Sequence, residues 1–161
     1  MDSIEVELKV LIECLKKKAA ALSQIAAITE NQGFVLTSTL THEEIYSFFM
    51  QMNEEKNGFI KRVIECDEVF ANVLQKVGPT LDSDPTKYGE QVHTLQDLIR
   101  TVMDLDVQIR VSEDNNYQIL NDALTEIQEN APDKQEPIGS GEYGSNKAIE
   151  AYKVQSKHHN D

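Results

Sequence analysis

Few residues in this chain of 161 are suited to chemistry. The first candidates are Glu90 and His93 in Glu90-Gln-Val-His93. On a helix that spacing puts an acid and an imidazole on one face, as in bundles that hold paired iron ions. Such a centre also needs a second Glu-x-x-His pair and two more inward glutamates. Those are lacking, and Val92 occupies the apolar face, turning Glu90 and His93 outward. His42 adjoins a helix cap and His158-His159 stand in the last few residues, so no metal site is expected. Asp104, Asp106, Glu113 and Asp114 could supply a carboxylate of raised pKa, but no nucleophile, oxyanion donor or phosphate loop accompanies them. The reading is a protein without catalytic residues or cofactor. Cys14 and Cys66 lie inside helical patterns and read as small reduced core residues. Lys16-Lys17-Lys18 reads as a solvated face with one snorkelling stem.

The elements that must position these residues are helices. Ile4, Leu8, Leu11, Leu15, Leu22 and Ile25 share one face and predict a first helix over 3–30, capped by Ser3 and ended by Asn31-Gln32-Gly33. The apolar stretch Phe34, Val35, Leu36 and Leu40 is expected to fold over the end of a bundle. Thr41-His-Glu-Glu44 is a capping box that opens a second helix over 41–77, continuous through Asn57-Gly58 and stopped by Gly78-Pro79. Its seam is Ile45, Phe49, Met52, Lys56, Phe59, Val63, Cys66, Phe70, Val73 and Val77.

The third helix, 88–130, carries the longest seam, Val92, Leu95, Ile99, Val102, Asp106, Ile109, Glu113, Asn116, Leu120, Ala123 and Ile127, in alternating steps of three and four. Asp106, Glu113 and Asn116 make its waist polar. Residues 131–161, with prolines and glycines clustered in 131–145, read as a flexible tail with a short helix at 146–156. The expected fold is therefore all-α: an elongated antiparallel helical bundle or coiled coil of three long helices over 1–130, plus that tail.

Folding the second helix onto the third about Asp82 puts Lys56 opposite Ile109, within a turn of Asp106 and Glu113. Lys56 is expected to pair with one of these acids and, with Asn116, to fix the seam register. By length the first helix falls short of the second, so Phe70, Val73, Val77, Val92 and Leu95 are expected to lack a third wall.

The net charge is −13, and 23 acids against 11 bases fall in residues 1–130. Nucleic acid is thereby disfavoured as a partner, since it needs a basic footprint. No run reaches the roughly 20 apolar residues of a membrane span. The opening MDSIEVELK has acids where a signal peptide carries bases. A cytoplasmic protein without membrane insertion is expected.

The leading helix with Leu8, Leu11, Leu15 and Leu22, the stretch Ser112-Glu-Asp-Asn-Asn-Tyr117 followed by Ile119, Leu120 and Leu124, and Tyr143-Gly144 in the tail together resemble flagellar export chaperones of the FlgN/FliT type. The segment Lys147 to Lys153 is similar to that family's C-terminal ends. The resemblance implies a cytoplasmic type III export chaperone that binds a hook-associated or filament-cap protein, prevents its premature assembly and delivers it to an export-apparatus component. Capture of a client helix between bundle helices would then involve Leu120, Leu124 and Ile127, with Ile149 and Tyr152 of the tail competing for the groove or closing over the client. The alternative is a coiled-coil scaffold or signalling adaptor that assembles as a homodimer or larger homo-oligomer.

Overall fold

A computed structural model describes residues 2–130. The linker expected at 131–145, the short helix expected at 146–156, and Ile149 and Tyr152 lie outside the described residues. The described residues form three helices, α1 (Ser3–Leu36), α2 (His42–Ser83) and α3 (Gly89–Asn130), and include no strand. The segments 37–41 and 84–88 are too short to cross a bundle, so consecutive helices run antiparallel. The chain divides into two compact units, each built from all three helices. The first takes residues up to Ile25 with Gly58–Val107; the second takes Ala26–Asn57 with residues from Gln108 onward.

In the first unit Leu8, Leu11 and Leu15 of α1 meet Val77 of α2, Tyr88 of the α2–α3 connection and Leu95 of α3. The third wall expected to be missing is therefore supplied by α1, because that helix begins beside the α2–α3 connection. Asp2 fixes this start. Its Oδ1 accepts the Glu5 N–H at 2.7 Å and its Oδ2 accepts the Tyr88 hydroxyl at 3.2 Å. Asp2, rather than Ser3, is thus the cap, and the Glu5 amide in particular holds its carboxyl below the ordinary value.

One other boundary and one seam position of this unit differ from expectation. Helix α2 continues past Pro79 to Ser83. Proline removes one backbone bond, but Leu81, two residues further, packs on the leucine core and offsets that loss. On α3, Ile99 is exposed, and Leu98 packs against the core in its place.

In the second unit α1 runs through Gly33 to Leu36 instead of ending near Glu30. A Cβ on Gly33 would stand 2.8 Å from Asn116 Oδ1. This glycine serves close approach of α3 rather than termination. The added turn delivers Leu36 to a core of Phe49 and Leu120. Its final carbonyls are taken by hydroxyls, Thr37 Oγ1 donating to Gly33 and Ser38 Oγ to Val35 at 2.6 Å. Phe34 and Leu40 do not cover an end of the bundle; Phe34 is 63% exposed. The capping box forms, with the Glu44 N–H donating to Thr41 Oγ1 at 3.2 Å and the Thr41 N–H to Glu44 Oε1 at 3.3 Å.

Two helical glycines, Gly58 and Gly33, test this account. Gly58 has nothing within 4 Å of the site a Cβ would occupy, so Gly58→Ala should stabilise by about 1 kcal/mol through helix propensity. Gly33→Ala should instead lower stability by about 1 kcal/mol, because it displaces a buried Asn116. Urea unfolding of both variants decides it, and an equal gain at both positions would contradict the close-approach role of Gly33.

Candidate functional site

Among its described residues the second unit buries six polar ones, two from each helix: Thr29 and Gln32 of α1, Asn53 and Lys56 of α2, Glu113 and Asn116 of α3. Lys56 Nζ donates to Glu113 Oε1 at 2.5 Å and to Thr29 Oγ1 at 3.2 Å. Asn116 Nδ2 donates to the Thr29 carbonyl at 2.9 Å. Gln32 Nε2 donates to Asn53 Oδ1 at 2.8 Å and to the Phe49 carbonyl at 3.3 Å. The ion-pair partners are only 1% and 2% exposed. Burial pushes the Lys56 ammonium below its ordinary value, and the charge and hydrogen bond of Glu113 pull it partly back.

Of the two acids offered to Lys56 by the sequence, Glu113 is the partner, and Asn116 joins the same centre through Thr29. Asp106 is half-buried on α3. Lys56 facing Glu113 and Phe49 packing with Leu120 both place the fold point between residues 84 and 85, not at Asp82. The extension of α2 past Pro79 causes this shift and moves the residue opposite Lys56 one turn beyond Ile109. Thr29, Gln32 and Asn53 were missed. The signal for the first two lay in α1, where Leu22, Ile25, Thr29, Gln32 and Leu36 keep steps of three and four once Gly33 is read as interior. On α2 the inward positions are Asn53 and Ile60, while Met52 and Phe59 are half-buried.

This centre is suited to alignment. A slide along any seam would set Lys56 or Glu113 against apolar side chains, at a cost of several kcal/mol for an unpaired buried charge. Among the expected client-binding positions, Leu120 is 2% exposed and packs with Phe49 in the core, while Leu124 and Ile127 are half-buried. Leu120 as placed lines no open groove. Glu90 and His93 are exposed, and His93 Nε2 stands 3.4 Å from Asp97 Oδ2. Among the described residues no cluster of three or more His, Cys, Asp or Glu could hold a metal ion.

The more accessible feature lies in the first unit, between α1 and α2. Two adjoining depressions of about 580 and 530 Å³ share Lys17, Cys66 and Glu65. The first is walled by Val6, Val10 and Val69, which are 48%, 38% and 45% exposed. The second is floored by Ala20, Ala21 and Phe59, with the Arg62 guanidinium 5.0 Å above the Phe59 ring. Cys14 and Cys66 are free, half-buried thiols on this surface rather than core residues. Burial pushes both thiols up, and for Cys66 the neighbouring Cys14 adds to it. Of the basic run, Lys18 turns inward to Asp67 at 2.7 Å, Lys16 pairs with Glu13 at 3.6 Å, and Lys17 lines the groove.

Among the described residues no helix is long and apolar enough to cross a membrane. Comparison with family models, curated proteins and solved structures finds no match.

A double-mutant cycle reads the polar centre. Lys56→Met alone should cost about 3–5 kcal/mol, and Lys56→Met with Glu113→Leu should recover most of that loss. The pH dependence has a definite sign. With Lys56 below 10.5 in the native state, the unfolded chain holds more protons between that lowered value and 10.5. Native stability therefore gains from this group as pH rises through that window. Urea titrations across alkaline pH should show this gain in the native protein relative to the double variant. Coincident pH slopes would contradict it.

Proposed function

We propose that this protein is a helix-binding chaperone of the flagellar type III export kind, one that holds a hook-associated or filament-cap protein unassembled in the cytoplasm. The observation that carries the reading is the open apolar groove between α1 and α2. Contiguous exposed apolar surface on a chain with a complete core of its own marks an interaction site. The groove presents exposed valines and half-buried thiols while Leu8, Leu11 and Leu15 beneath it stay buried, so binding can proceed without unpacking the fold. Helix-in-groove capture is the recognition mode such a surface serves.

A second reading, a homo-oligomeric scaffold, rests on Ile99, Met103 and Val107, a stripe on α3 that is 40%, 62% and 60% exposed. Light scattering separates the two, since a scaffold should be oligomeric at micromolar concentration and a chaperone should form a defined complex only with its client.

The direct experiment mixes the purified protein with hook-associated and cap proteins encoded in the same genome. One of them should co-elute with it and lose its ability to polymerise. Disruption of the gene should reduce filament assembly in a motile host. Normal filaments after disruption, together with no complex with any of these proteins, would reject the chaperone reading.

A further inference from the structure

The groove between α1 and α2 carries its own charge pattern, and that pattern identifies its occupant. The chain has a net charge of −13, yet this surface gathers Lys9, Lys17 and Arg62. Of its two acids, Glu13 is engaged by Lys16, which leaves Glu65 against three cations. Lys9 and Lys17 lie eight residues apart on α1, about 12 Å along the axis, and the lining from Val6 to Gln24 extends about 27 Å.

We propose that this groove binds a single amphipathic helix of about five turns from a partner protein, its apolar stripe flanked by acidic residues. The inference rests on the helix-binding reading above and adds the site and the chemistry of the bound segment. Three observations favour a helix of this kind. Apolar and thiol side chains line both depressions, Val6, Val10 and Cys14 in one and Cys66, Ala20 and Phe59 in the other, so a small anion would meet one cation and leave the rest of that surface wet. The described residues hold no strand, so an extended peptide has no sheet edge to pair with. Acids seven or eight residues apart on a docked helix lie on one side of it and meet Lys9 and Lys17 together. A second copy of the chain is a poorer fit, because two bodies of this charge repel at low salt.

The chain has two cysteines, both on this groove, so thiol chemistry reports its occupancy directly. The probe is a synthetic helical peptide of about 18 residues with leucine and isoleucine along one stripe and glutamate on both flanks. A twin carries lysine for glutamate. Maleimide reaction at Cys14 and Cys66 is timed with each peptide on the full chain.

The glutamate peptide should slow both thiols about tenfold, an effect that weakens in high salt, and the lysine peptide should leave them unchanged. Lys9→Glu with Lys17→Glu should reverse that preference, and Val10→Asp should abolish protection by either peptide. These are exposed positions, and circular dichroism checks that the helices persist. Equal protection by both peptides, or by neither, overturns the proposal. So does protection that grows with protein concentration in the absence of peptide, the mark of a second copy, or equal protection by anionic vesicles. A flagellar client that forms a complex while Cys14 and Cys66 keep their reactivity would sink this inference and leave the chaperone reading standing. Protection by the glutamate peptide without any flagellar complex would do the reverse.

Discussion

The contact between Lys56 and Glu113 constrains the rest of the structure more than any other. Two full charges stand out of water, and their attraction offsets only part of the cost of desolvating Lys56. Their effect lies in the alternatives they exclude. An apolar seam of leucine, isoleucine and valine tolerates displacement by a heptad, because one aliphatic side chain replaces another in the next hole. A lysine that must find a carboxylate does not tolerate it. Thr29 and Asn116 tie α1 to the same point, so three helices are aligned by one cluster. The neighbouring Gln32 and Asn53 amides bear the other side of this arrangement, since Gln32 Oε1 and Asn53 Nδ2 are buried without a hydrogen-bond partner.

How far the sequence reveals this centre depends on two residues that ordinarily break helices. The steps of three and four on α2 and α3 are enough to bring Lys56 near Glu113, because heptad spacing is a property of each helix alone. Placing the two helices against each other also requires the position of the turn. Pro79 signals a stop, but Leu81 has a core to enter, and tertiary burial outweighs one lost backbone bond. The turn moves, and the partner moves with it by one helical turn. Gly33 misleads in the same way. Local propensity makes it a terminus, whereas its lack of a Cβ admits Asn116 from α3, a contact no local reading of α1 contains. Ending α1 early put Gln32 outside the helix and cut short the three-and-four run that continues through Thr29 to Leu36, and Thr29 and Gln32 are half of what the centre takes from α2 and α1.

The cysteines and the basic run show the converse limit. Periodicity places Cys14 and Cys66 inside helices but does not say which of several inward faces is closed. In a bundle of three helices the groove between any two is open on the outside, and residues flanking the seam line it. Val6, Val10 and Val69 are apolar for that surface, not for the core. The sequence shows them as apolar and leaves the face unassigned. Lys16, Lys17 and Lys18 are adjacent in sequence yet separate onto three faces, since consecutive residues on a helix stand about 100° apart.

The polar centre and the groove draw on different parts of the same helices, and this separation has an energetic consequence. Alignment is fixed within the second unit by buried hydrogen bonds, whose strength does not depend on bulk salt. The groove belongs to the first unit, where the apolar lining gives affinity and Lys9, Lys17 and Arg62 give preference through solvent-exposed charge. Under the proposed reading, affinity for a helix would then vary with ionic strength while the fold itself does not. The strong negative charge elsewhere on the chain would sharpen that preference. An acidic helix would be disfavoured by the chain's net charge of −13 and attracted by the groove's cations, so its register and orientation would follow from where Lys9, Lys17 and Arg62 stand.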